Sequence, residues 1–267
     1  MTRKNSWLAI AFHLCFVTFM LAPIVVVCVV AFTPEAYLSF PTTSFSLRWF
    51  REIGNYPEFM RAARTSLFLG TISSTVVMLF AVPAALGIAR YRFIGRDTLT
   101  SIFMSPLMIP QVVLGVAFLR FFNQIGLAGT TVGLVLAHMI IVFPFAMRLT
   151  LASVNGLDSR VEHAAVSLGA TKFQVLRRVV LPLILPGMIS GWMLSFIQSF
   201  DEVTMTFFIA TPGTETLPVR MFAYIQDSVD PLITSVSACV IAVTIVALVV
   251  VDKFFRLDRI LLGGSDR

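Results

Sequence analysis

Long apolar stretches, separated by short clusters of charge and proline, dominate the pattern of this chain. A helix that crosses a bilayer needs about 20 predominantly apolar residues. On that criterion spans fall at about 7–32, 62–89, 101–121, 131–149, 184–210 and 232–251. The runs are continuous, whereas a barrel strand alternates apolar and polar positions. In lipid every backbone N–H and C=O must bond within the protein, so helices are the spanning element. The predicted fold is an all-α membrane protein with six transmembrane helices, read as a single domain over 1–267. The segment at about 33–61 holds Pro34, Pro41, Gly54 and Pro57 and reads as an irregular loop with room for a short helix. Prolines 23, 83, 106, 110, 144 and 186 interrupt the spans and predict kinks, which membrane helices tolerate where neighbouring protein re-satisfies the backbone.

Composition agrees with this pattern. Of 267 residues, 57% are hydrophobic and 13% charged, against about 25% charged in a soluble domain. So few charges cover a surface only if most of it faces lipid. The net charge of +6 sits at the ends of apolar runs rather than in one patch, which argues for membrane orientation and against nucleic acid as a partner. Fourteen of the 20 Lys and Arg fall in one set of extramembrane segments and six in the other, so both termini are expected in the cytoplasm. Arg3 and Lys4 precede an apolar run that exceeds the roughly 7–15 residues of a secretory signal core, so this run reads as an uncleaved first span.

Little else in the chain points to chemistry. Cys15, Cys28 and Cys239 lie inside apolar runs with no CxxC spacing. His13, His138 and His163 are scattered without metal-ligand spacing. No metal site is expected, and an intramembrane enzyme is the weaker rival reading. The chain holds no GxxxxGK[ST] phosphate loop, so ATP hydrolysis would have to come from a partner.

The longest cytoplasmic segment, at about 150–183, is patterned. Ser159 and Glu162 have the spacing of a capping box. Ala164, Ala165 and Leu168 then fall on one helical face, and Gly169 stands where a helix ends with positive φ. Thr171 and Gln174 start a second helix with Phe173, Leu176 and Val180 on one side and Lys172, Arg177 and Arg178 outside that stripe. Pro182 is expected to end or bend it. Small residues on a short helix suit a groove on a partner protein. A basic helix pair lying on the bilayer fits the pattern equally well.

A resemblance separates these two. Ala164-Ala165, Leu168-Gly169-Ala170, Leu181-Pro182 and Pro186-Gly187 match, in order and spacing, the EAA loop of the permease subunits of bacterial binding-protein-dependent ABC importers. The position of that family's glutamate holds His163, with Glu162 one residue earlier. The resemblance implies a type I ABC importer permease-like fold in a bacterial inner membrane. Glu162, His163, Ala164, Ala165, Leu168, Gly169 and Ala170 would then couple the spans to a cytoplasmic ATPase. It further implies a sister permease, two copies of the ATPase subunit, and a periplasmic or extracellular substrate-binding protein. ATP and Mg would sit on the ATPase. This chain would bind no cofactor and be a transport subunit rather than an enzyme.

The fifth predicted span contains adjacent acids, Asp201 and Glu202. A charge at a helix centre costs about 2.5–3.5 kcal/mol on the insertion scale, so neither is expected to face lipid. They form either a negative part of a substrate path, with Gln198 and Trp192 on the same general side, or structural groups that lie near the outer interface or pair with another helix. A negative path favours cations, and Trp192 and Tyr224 offer cation–π faces. Ser199-Phe-Asp-Glu-Val203, Pro212 through Arg220 and Val229-Asp-Pro231 resemble the spermidine/putrescine permease branch of the family. That resemblance implies a polyamine or similar small cation as substrate. The alternatives are an opine-like, amino-acid-derived or phosphonate-like solute, and a channel is the remaining rival class.

The charge asymmetry is checked with a reporter fused after Arg267. Activity is expected in the cytoplasm, and periplasmic activity would overturn the topology.

Overall fold

The computed structural model describes residues 6–42 and 44–255. The terminal charges counted above at Arg3, Lys4, Arg256, Arg259 and Arg267 lie outside the described residues. Every regular element among the described residues is helical.

Four helices are long and apolar enough to cross a membrane: α1 (Ser6–Val30), α3 (Pro57–Arg90), α6 (Thr131–Asn155) and a helix over Lys172–Phe200. The short α2 (Arg48–Glu52) occupies the predicted irregular loop. The run predicted at 101–121 is not one straight span. It consists of α4 (Arg96–Met104), prolonged to Leu107, and α5 (Gln111–Ile125), bent by 95°. A proline causes this break. Pro110 lacks an N–H and crowds the preceding turn, and it stands in extended backbone (ψ 131°) just before α5. By contrast Pro23, Pro83, Pro144 and Pro186 lie inside continuous helices.

The run predicted at 184–210 is also divided. Its helix starts earlier, as α8 (Lys172–Val175), a π-helical stretch at Leu176–Val180 and α9 (Leu181–Phe200), and stops at Phe200. A separate turn of helix, α10 (Thr204–Ile209), follows. Pro182 therefore does not end the helix. The wider π turn before it gives its ring room against the carbonyl one turn back. The expected buried stripe departs at its first residue, while Leu176 packs on the cluster that holds Val180. Val175 and Val180 are buried, while Phe173, expected on that stripe, is 68% exposed. The chain closes with α11 (Leu217–Asp227) and α12 (Leu232–Phe255), whose described apolar part is Leu232–Ala247.

The helices form two compact units. One combines the stretch up to Met60 with that from Met221, and the other is Arg61–Arg220. In the first, α1 packs on α12, and Ser235 donates to the Ala31 carbonyl at 3.0 Å. Most apolar side chains of α1 are exposed, as for a helix facing lipid.

The second unit is organised by α6 and α9, which run antiparallel in close contact. A Cβ on Gly187 would lie 2.3 Å from the Ser153 Cβ, and one on Gly191 would lie 3.0 Å from the Ala146 carbonyl oxygen. One helical step further, Ser195 donates to the Val142 carbonyl at 3.3 Å. A step beyond that, Ser199 meets His138. The small residues recur every fourth position of α9, which lets two helix backbones approach where lipid offers no hydrophobic driving force. On its other side α9 meets α3 through Trp192, whose indole N–H donates to Thr75 Oγ1 at 3.0 Å.

This seam makes a prediction with a built-in control. Gly187→Ala should lower thermal stability in detergent by about 1–3 kcal/mol through overpacking. Gly87→Ala in α3, where nothing lies within 4 Å of the new Cβ, should be neutral or stabilising by up to about 1 kcal/mol. Ser153→Gly should restore part of the Gly187→Ala loss. Equal effects at both glycines would show that close packing is not what matters.

Candidate functional site

The segment between α6 and α9 builds a compact helix pair. Its first helix is α7 (Ser159–Ser167). The cap is Asp158, not Ser159: the Asp158 carboxylate accepts the Arg160 N–H at 2.9 Å and also pairs with the Arg160 guanidinium. That fully exposed pair holds the Asp158 carboxyl below the usual carboxylate range. An anionic cap suits the positive end of a helix. Glu162 is free of the expected capping role and forms an ion pair with Arg90 at the end of α3.

The turn that follows matches its sequence signature. Gly169 has φ +87°, its N–H donates to the Val166 carbonyl, and the Ala170 N–H donates to the Ala165 carbonyl. These two bonds make a Schellman closure. Thr171 and Gln174 form the expected capping box, with bonds of 2.8 and 3.3 Å.

The faces of α7 divide differently from the expected grouping of Ala164, Ala165 and Leu168. Ala165 and Ala170 pack on a cluster built from Val82, Val154, Val175, Val180 and Ile184. Ala164 and His163 are exposed, and Leu168 is 89% exposed. A hollow of about 410 Å³, lined by Leu168, Gly169, Gln174 and Arg178 among others, opens between the two helices. Thus Glu162 and Ala165 turn inward, while His163, Ala164 and Leu168 are presented outward.

The two acids at the end of α9 have different surroundings. Asp201 is exposed in the break after Phe200. Glu202 is buried, and its carboxylate accepts the Met205 and Thr206 N–H groups at 2.8 Å and the Thr206 hydroxyl at 2.6 Å. It therefore satisfies the open N-terminus of α10. Thr206 also meets His138 Nε2 at 3.0 Å, and His138 Nδ1 lies 2.7 Å from the Ser199 hydroxyl. The single Thr206 hydroxyl proton goes to Glu202, so Thr206 accepts from His138 Nε2–H. His138, Ser199 and Thr206 were not singled out with the acids. The signal was available as a histidine and two hydroxyls in apolar runs, but nothing in their spacing shows that they meet.

The remaining residues expected on a path belong to different compact units. Trp192 stacks on Phe196 with ring centroids 5.5 Å apart, and Gln198 is half-buried. Tyr224 belongs to the other compact unit. It is buried there, packed edge-on against Tyr56 and Phe59, and donates its hydroxyl to Asp230 at 2.7 Å. Burial first, and then Asp230, push its phenol well above the ordinary range.

The two acids are therefore expected to respond differently to mutation. Glu202→Ala strips a buried cap and should cost about 1–3 kcal/mol. Asp201→Asn, at an exposed position, should stay within about 0.5 kcal/mol of the parent. Thermal unfolding of both variants in detergent checks this. A Glu202→Ala melting curve that overlays the parent would show the cap to be unimportant.

Comparison with known proteins places this architecture. The family described as binding-protein-dependent transport system inner membrane component matches residues 77–257. The spermidine/putrescine transport system permease protein PotC of Haemophilus influenzae is 29% identical over 243 residues, covering 91% of this chain and 94% of that one. The putrescine transport system permease protein PotI of Escherichia coli is 28% identical over 245 residues, covering 89% and 86%. Among solved structures, a bacterial ABC transporter involved in the import of the acidic polysaccharide alginate shares the fold. Its TM-score is 0.78 at 16% identity, with 96% of this chain and 99% of that chain covered. The family match extends over more than half of the sequence and includes both the α6–α9 seam and the α7–α8 helix pair, so the chain belongs to the inner-membrane permease components of binding-protein-dependent ABC importers.

Proposed function

We propose that this permease imports a polyamine or a similar small cationic solute, forming the translocation path together with a sister permease. In this reading the chain crosses the membrane six times with both termini in the cytoplasm. The α4–α5 pair forms a broken third span, and α12 forms the sixth. The α7–α8 pair docks into a cytoplasmic ATPase subunit, of which the assembly holds two copies, and ATP and Mg are bound there. A soluble receptor outside the membrane delivers the solute.

The observation that carries this reading is the resemblance to two polyamine-system permeases along most of the chain. The outward face of α7 supports the docking step, since it offers small and apolar groups at Ala164 and Leu168 beside an open hollow. On the substrate side, Glu202 is used up by α10, which leaves Asp201 as the acid available to a passing cation. Another small solute, opine-like, amino-acid-derived or phosphonate-like, is the alternative within the same class of importer.

Two measurements test the two halves. The cognate soluble receptor should bind putrescine or spermidine in calorimetry, and binding of none would sink the cationic substrate. Ala164→Arg should weaken co-purification of the ATPase by about tenfold or more, the equivalent of at least 1.4 kcal/mol, with the permease still folded. Undiminished association and uptake would remove α7 from the docking surface.

A further inference from the structure

A polar contact ties the helix pair to the rest of its unit. Arg90 is the last residue of α3, a 34-residue helix, and its guanidinium pairs with Glu162 in the first turn of α7. The two side chains are 27% and 23% exposed, so the pair is largely withdrawn from water. The Arg90 Nε is buried without a hydrogen-bond partner. The guanidinium is thus held in place by one carboxylate and not by a web of alternatives.

The other contacts under α7 are of a different kind. Ala165 and Ala170 rest on the side chains of Val82, Val154, Val175 and Val180. Apolar contacts of this type are non-directional. An arginine–carboxylate pair is directional and loses its energy when one partner shifts. Of the links between α7 and α3, this one resists displacement most. α3 is a single helical element from Pro57 to Arg90, so Arg90 stands at one end of a transmembrane helix.

We infer that Arg90 is a positioning residue for transport: through its pair with Glu162 it passes movement of α7 to α3, and so joins ATPase motion to the transmembrane helices. The inference rests on α7 being the segment that meets the ATPase. It also assigns the inward-turned acid a task. Glu162 serves Arg90 within the chain, while His163, Ala164 and Leu168 are left to meet the partner.

The test uses the assembled transporter in proteoliposomes, with solute uptake and ATP hydrolysis measured on the same preparation. Arg90→Gln should leave ATPase co-purification and ATP hydrolysis intact while lowering uptake per ATP hydrolysed by roughly 2- to 30-fold, the range set by coupling contacts. Arg90→Lys should fall between Arg90→Gln and the parent. The paired exchange Arg90→Glu with Glu162→Arg should recover more of the ratio than either single exchange. An unchanged ratio in Arg90→Gln overturns the inference. So does a loss of ATPase association that parallels the loss of uptake, since the pair would then only hold the docking surface together. If the unmutated chain itself fails to co-purify with an ATPase, the reading of α7 fails instead, and the two failures are told apart.

Discussion

Along one line of α9 there is no room for side chains. Gly187 and Gly191 bring its backbone against Ser153 and Ala146 of α6, and Ser195 and Ser199 continue the contact with hydrogen bonds. Lipid tails are as apolar as leucine, so two helices in a membrane gain little from burying leucines against each other. Close packing and interhelical hydrogen bonds hold them together instead. The rest of the unit depends on this seam. α6 and α9 are the two stalks on which α7 and α8 stand, and the distance between the stalks sets where the helix pair lies. The same seam carries Ser199 to His138 and so brings the end of α9 to α10.

At the Ser153–Gly187 end of the seam, α7 is held by three kinds of interaction with separate roles. Asp158 starts the helix, the Schellman closure at Gly169 ends it, and the Thr171–Gln174 box starts the next. Ala165 and Ala170 seat it on the valine cluster. Arg90 links it to α3 by taking Glu162. A helix of nine residues exposes a given face only if something prevents it from rolling. The seat of Ala165 and Ala170 on the valine cluster does this, and the outward position of His163, Ala164 and Leu168 follows from it.

At the other end, Ser199, His138, Thr206 and Glu202 form a connected chain of hydrogen bonds across α9, α6 and α10. A buried polar group without a partner is costly, and here each member supplies what its neighbour lacks. The break at Asp201–Val203 is sustained by this arrangement, because the free N–H groups of α10 are met by Glu202. The adjacent acids thus have different roles: one closes a helix end, and the other stays exposed.

The sequence by itself determined the all-helical membrane class, since the length of an apolar run and the shortage of charge are properties of the chain alone. It also determined two local devices, the Thr171–Gln174 capping box and the positive φ of Gly169, because each depends on residues three or four positions apart. Tertiary structure decided what rests on distant partners. Whether Glu162 caps its own helix or pairs with Arg90 depends on a residue 72 positions away. Whether Glu202 faces a path depends on where α10 begins, and the fate of Pro182 depends on the π turn before it. The spacing Gly187, Gly191, Ser195, Ser199 was legible as a four-residue repeat of small residues. That it lies against Ser153, Ala146, Val142 and His138 could be known only once α6 had been brought alongside, because close approach is a relation between two helices and not a property of either.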